Sequence, residues 1–121
     1  MKISLKIIYI LFFIFISSLE KLYADEKIKI GLLVPLSGEQ SNVGKSIIKS
    51  VRLAINKIDN SNIQILPRDT KNDPLVTFTA AKNLELEGVK IVIGPIFNKN
   101  LIYLDELEEM IFVSLSNKNT K

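Results

Sequence analysis

Lys27 to Asp59 reads KIKIGLLVPLSGEQSNVGKSIIKSVRLAINKID, which divides into an apolar strand, a polar loop with glycine, and an amphipathic helix. Ile28, Ile30, Leu32, Leu33 and Val34 form a short run that stops at Pro35 and Gly38, the pattern of a strand covered on both faces. From Ser41 or Asn42 as N-cap, Val43, Ile47, Ile48, Val51, Ala54, Ile55 and Ile58 recur at helical spacing. Lys45, Lys49, Arg52 and Lys57 fall on the other side, and the turn cluster Asp59-Asn60-Ser61-Asn62 ends the helix. Together these are the opening βα unit of an α/β domain, and they point to a binder of small molecules rather than a catalyst.

Upstream, Lys2 and Lys6 precede an uninterrupted apolar run from Ile7 to Ile16, and Ser17, Ser18, Glu20 and Lys21 restore polarity before Leu22-Tyr23-Ala24. That is the grammar of a signal peptide over residues 1–24, with cleavage after Ala24, and it predicts export to the periplasm. The run is about half of the ~20 residues that a spanning helix needs, so a permanent membrane anchor is the lesser reading. Lys2, Lys6 and Lys21 against Glu20 lie in this leader, so the chain's 16 basic and 13 acidic side chains fall to 13 and 12 after cleavage. With the charge nearly balanced and no basic run interleaved with aromatics, nucleic acid is not an expected partner. No cysteine is present, which removes disulfides, thiolate metal sites and lipid attachment at a new N-terminal cysteine.

Downstream, Ile63, Ile65 and Leu66 form a second strand, followed by a polar loop from Pro67 to Asp73. Asp73 before Pro74 marks the N-terminus of a second helix with Leu75, Phe78, Ala81 and Leu84 inward, closed by Gly88. Val89, Ile91, Val92 and Ile93 make a third strand, Leu101, Leu104 and Leu107 a third helix, and Ile111, Phe112 and Val113 a fourth strand. The order β-α-β-α-β-α-β predicts an α/β fold: a Rossmann-like three-layer sandwich with a parallel sheet joined by right-handed crossovers. Ligands of such sheets sit beyond the carboxyl ends of the strands. Here that edge comprises Pro35–Ser41, Arg68–Asp73, Pro95–Asn100 and Ser114–Asn119, all rich in Ser, Asn, Asp and Gly.

The chemistry available at that edge is hydrogen bonding. Gly38 and Gly44-Lys45-Ser46 suggest a phosphate loop, but five residues separate the glycines where such a loop needs four. With neither His nor Cys, the usual acyl-transfer triads and imidazole or thiolate zinc sites cannot be assembled within the chain. Asp69 and Asp73 are a conceivable carboxylate pair, yet Asp73 is explained as a helix cap and Asp69 as a polar group at a strand end. Glu106, Glu108 and Glu109 read as a solvated face. No enzymatic activity, cofactor or metal is expected. Ser37, Ser114 and Ser116, with the free N–H groups at the starts of the first and third helices, are the expected holders of a polar head group.

Ile28 to Gly38, Gly44, Asp73-Pro74 and Val89 to Pro95 resemble, in order and spacing, the first lobe of type I periplasmic binding proteins. The resemblance runs from about Lys27 to Asn119, in particular to the leucine/isoleucine/valine-binding group of branched-chain amino-acid transporters. It implies a two-lobed clamp that closes on a small ligand, such as an amino acid, and delivers it to the permease of an ABC transporter. It also implies ligand contacts from the loops after the third and fourth strands, here Phe97-Asn98-Lys99-Asn100 and Ser114-Leu115-Ser116-Asn117-Lys118, with Asn and Lys where the family is rich in hydroxyls. The expected binding residues are therefore Ser37, Gly38, Asn98, Asn100, Ser114, Ser116 and Asn117. Leu32 to Gly38 and Ile93 to Asn100 also resemble the periplasmic-binding-protein-like domain of penicillin-binding-protein activators, which implies an interaction module that contacts a penicillin-binding protein. Family lobes contain more strands than the four read here, so residues 25–121 are expected to be a truncated part of one lobe, with the second lobe missing.

Overall fold

In a computed structural model, residues 4–19 and 26–116 are described. An N-terminal helix, α1 (Leu5–Leu19), covers the apolar run. None of its large apolar side chains from Leu5 to Ile16 is buried. Among the described residues no helix is long and apolar enough to cross a membrane. The expected cleavage point after Ala24 lies outside the described residues.

Four strands, β1 (Ile28–Val34), β2 (Ile63–Asp69), β3 (Ile91–Ile93) and β4 (Ile111–Val113), form one parallel sheet in the order β2-β1-β3-β4. The chain steps from β1 to β2 through α2 (Ser41–Ile58), then back across β1 to β3 through α3 (Pro74–Leu86). Right-handed crossovers in opposite directions place the two helices on opposite faces. The fold is therefore the expected α/β, with a parallel sheet between helical layers.

The packed core lies on the α3 face. A side chain at Gly31 would meet Leu84 Cδ1 at 2.7 Å and Val92 Cγ2 at 3.0 Å, so residues 31 and 33 of β1 face α3. Leu33, Ala80, Ala81, Leu84, Val89, Val92, Leu104, Leu107 and Met110 form the cluster. In α3 the inward stripe falls on Thr77, Ala80, Ala81 and Leu84. Of the stripe expected from sequence, Leu75 is exposed and Phe78 only half-buried.

The expected third helix is absent. The segment instead forms two short 3₁₀ turns, Asn98–Leu101 and Leu104–Glu106. The reason is visible in the spacing: Leu101, Leu104, Leu107 and Met110 are three apart, the period of a 3₁₀ helix, and the last three are buried while Leu101 packs against the cluster. A 3.6-residue helix would swing that row off the core.

Three boundaries also differ from expectation. The N-cap of α2 is Gln40, not Ser41 or Asn42, and no side chain caps it. The loop turns at Gly38, whose φ is +76°, and the Gly38 carbonyl accepts from Ser41 N. β2 runs through Pro67 to Asp69, where a loop was expected. Proline is tolerated there because β2 is an edge strand. Val89 precedes β3 and bonds back to the Leu84 carbonyl.

The N-terminus of α3 is as read. Asp73 Oδ1 accepts from Val76 N at 2.9 Å, Pro74 opens the helix, and Gly88 follows its end with φ +84°. Asp73→Ala is expected to cost about 1 kcal/mol, the usual worth of such a cap, measured as a shift in urea midpoint at constant slope.

The opposite face is only partly covered. Ile91, Ile111 and Val113 share the face of Ile30 through the strand register, and all three are exposed. On α2, Ile47, Ile48, Val51 and Ile55 are half-buried, and Val43, Ala54 and Ile58 of its expected apolar stripe are exposed.

Candidate functional site: the crevice at the strand ends

Close backbone approach builds the edge where the strands end. Gly44, in the first turn of α2, is the helix's only buried residue, and a side chain there would overlap the carbonyl of Pro35. Gly94, with φ +107°, lets the chain leave β3 against the Leu33 carbonyl. The Gly94–Pro95 peptide is cis. Leu115 N and Ser114 Oγ both donate to the Pro95 carbonyl, at 3.1 and 3.4 Å. These contacts fix the loops after β1, β3 and β4 beside one another.

Asp69 ties the end of β2 to the loop after β1. Its Oδ1 accepts from Leu36 N at 2.7 Å and from Lys71 N at 2.9 Å, and its Oδ2 accepts from Ser37 Oγ at 2.7 Å. Thr70 N donates to the Val34 carbonyl beneath it. Partial burial raises the carboxyl's pKa, but the Ser37 hydroxyl and the amides of Leu36, Lys71 and Ser37 outweigh it and hold the group below the ordinary Asp value. A carboxyl depressed in the folded chain contributes stability above its unfolded pKa, and that stability is lost as pH falls through the folded value. Acid unfolding of the Asp69→Asn variant is therefore expected to lose part of its pH dependence below about pH 4, the ordinary Asp value, as read from urea midpoints across pH.

The structure places the predicted residues as follows. Ser37 and Gly38 are exposed on the loop after β1. Asn98 and Asn100 lie in the first 3₁₀ turn after β3. Asn100 is buried, and its Nδ2 lies 3.4 Å from Oδ1 of Asn72, a residue of the loop after β2 with φ +54°. Oδ1 of Asn98 and Oδ1 of Asn100 are buried without a hydrogen-bond partner. Ser114 follows β4, and its Oγ accepts from Ser116 N at 3.1 Å. Asn117 lies outside the described residues. The ends of β1, β3 and β4 thus bring Ser37, Gly38, Asn98, Asn100, Ser114 and Ser116 to one edge of the sheet.

One expected contributor drops out. The N-terminus of a third helix cannot supply donors, because a four-residue 3₁₀ turn replaces that helix. Two linking residues exceed the role read from sequence: Asp69, taken as a loop polar group, and Asn72. The signal for Asp69 is its place at the last residue of a strand, directly paired with Val34.

Parallel strands in this order, with polar loops gathered at their carboxyl ends, define the class of open α/β domains whose ligand crevices, where present, lie at that edge. Within that class the chain belongs to the periplasmic binding protein family, whose sequence model matches residues 27–101. A search among curated protein sequences finds no match. Among solved structures the chain is similar to a leucine-binding protein LivK of Thermotoga maritima, at 18% identity and TM-score 0.68 over 75% of this chain and 28% of that one. It is similar to the branched-chain amino acid transporter substrate-binding protein LivJ of Streptococcus pneumoniae, solved with isoleucine, at 21% identity and TM-score 0.67, covering 77% and 30%. It is also similar to the C-domain of LpoA from Haemophilus influenzae, described as a regulator of PBP1A, at 26% identity and TM-score 0.58, covering 76% and 28%. The chain spans about a quarter of the length of such structures, 26% for an ABC transporter substrate-binding protein from Sphaerobacter thermophilus.

Proposed function

We propose that the chain forms one wall of a periplasmic solute-binding site that captures a small polar ligand, such as an amino acid, for an ABC transporter. The observation that carries this reading is the convergence of Ser37, Gly38, Asn98, Asn100, Ser114 and Ser116 on the edge that the fold reserves for ligands. Family membership and the named binding activities of LivK and LivJ support it. The role is binding without catalysis, exercised in the periplasm after removal of residues 1–24. The opposing wall comes from a second lobe.

Because one wall leaves half of a ligand in water, the chain alone is expected to bind leucine weakly. A calorimetric affinity tighter than about 1 μM, roughly −8 kcal/mol, contradicts this. The binding reading itself is tested by titrating the chain with the standard amino acids and following amide shifts. Movement confined to residues 36–38, 69–72, 98–100 and 114–116 supports it. A second reading, a module that contacts a penicillin-binding protein, draws on the similarity to the LpoA domain, at 26% identity. Capture of a purified bifunctional penicillin-binding protein, with no amide response to any solute, selects that reading instead.

A further inference from the structure

Resting on the solute-binding reading of the crevice, we infer that Ser37 meets the ligand as a hydrogen-bond acceptor, held in that polarity by Asp69, and so receives a donor group such as a protonated amine. The argument is an accounting of protons. Asp69 Oδ1 takes two backbone donors, Leu36 N and Lys71 N, and Oδ2 takes the Ser37 hydroxyl at 2.7 Å, with the Ser37 amide also directed at the carboxylate. An ionised carboxylate accepts and has nothing to donate. The one hydroxyl proton of Ser37 must therefore point at Asp69, which leaves the oxygen's lone pairs for the crevice.

Ser37 is exposed, so those lone pairs are open to a ligand. The polarity is reinforced by the negative charge directly behind the hydroxyl, which favours a cationic donor over a carboxylate. On the neighbouring loop the buried oxygens without partners are acceptors too, Asn98 Oδ1 and Asn100 Oδ1. Asp69 is thus a positioning residue that acts on the ligand through Ser37.

Asp69→Asn provides a test that a structural role cannot imitate. The two backbone N–H groups require the amide oxygen at the Oδ1 position, so the amide NH₂ replaces Oδ2 and donates to Ser37. The Ser37 proton then turns outward and the hydroxyl becomes a donor. The full chain, held in mild detergent micelles, would be titrated with 3-methylbutylamine and with 4-methylpentanoate, a pair of similar shape and opposite head group, following the Ser37 and Gly38 amides. The expected result is a preference for the amine of about tenfold, as for one hydrogen bond to a charged group, inverted in Asp69→Asn and absent in Ser37→Ala. A carboxylate preference in the unaltered chain overturns the inference while crevice binding stands. So does a preference that Asp69→Asn merely abolishes, or that survives in Ser37→Ala, because charge alone then explains it. If neither probe moves any amide at the strand ends, the inference and the binding reading fall together. Should Asp69→Asn fail to fold, Ser37→Ala decides alone: retained amine preference overturns the inference, and its loss supports it.

Discussion

Leu84→Ala is expected to lower the unfolding free energy by about 4 kcal/mol, within the range of large-to-small core substitutions. Leu84 is fully buried in the core cluster between α3 and the sheet. Its Cδ1 stands where a side chain at Gly31 would be, so the strand opposite has no atoms that can move in to fill the gap. Val89 and Val92 at the same spot are held by backbone bonds to the Leu84 carbonyl and within β3. The cavity therefore stays open and the loss lies toward the upper end. Since domains are stable by only about 5–15 kcal/mol, the variant is expected to be largely unfolded at moderate urea. Leu86→Ala, two residues on with its side chain 79% exposed, is the control and is expected to change the midpoint by no more than about 0.5 kcal/mol. Equal effects at both positions would show that the α3 face is not the stabilising layer.

The second large effect is one that helix propensity gets wrong in sign. Gly44 sits in the first turn of an 18-residue helix, where exchange for alanine ordinarily gains about 1 kcal/mol. Here the added methyl would overlap the Pro35 carbonyl, which is backbone and has no side-chain rotamer to adopt. Relief requires α2 to move off β1 or the Pro35–Ser37 loop to shift, so Gly44→Ala is expected to destabilise by about 3 kcal/mol, the upper range for overpacking. Because that loop carries Ser37, the Leu36 and Ser37 amide resonances are expected to shift more than those of α3. A more stable variant with unmoved loop amides would disprove the close approach.

What the sequence made legible was the part governed by period and punctuation. The alternation of strands and helices from β1 to β3, the Asp73-Pro74 helix start and the Gly88 stop are all local signals, and the structure contains each of them. The failures have a common cause in tertiary contact. Leu101, Leu104 and Leu107 fit a helix loosely and a 3₁₀ spiral closely, and only the position of the core decides between them. Pro67 looked like a strand end because a proline cannot sit in a sheet's interior; that β2 is an edge is a fact of topology. Among the candidate residues, Ser37 and Ser114 were legible as strand-end hydroxyls, whereas the hydrogen bonds of Asp69 were not. Its partners Leu36 and Ser37 are more than thirty residues away in the chain, and no local pattern brings them together.

Pro67 gives the sheet a direction in which it can grow. Thr70 N bonds to the Val34 carbonyl, so in the alternating pattern of a parallel pair Pro67 turns its nitrogen and carbonyl away from β1. The nitrogen has no hydrogen to offer, and the carbonyl is already engaged by Arg68 Nη1 at 3.0 Å, while the other arm of the same guanidinium holds Glu87. A foreign strand arriving at this margin finds neither a donor nor a free acceptor at its midpoint. New pairing, whether by continuation of the fold or by misassembly, is left to the β4 margin, and recruitment of strands by this sheet becomes one-sided.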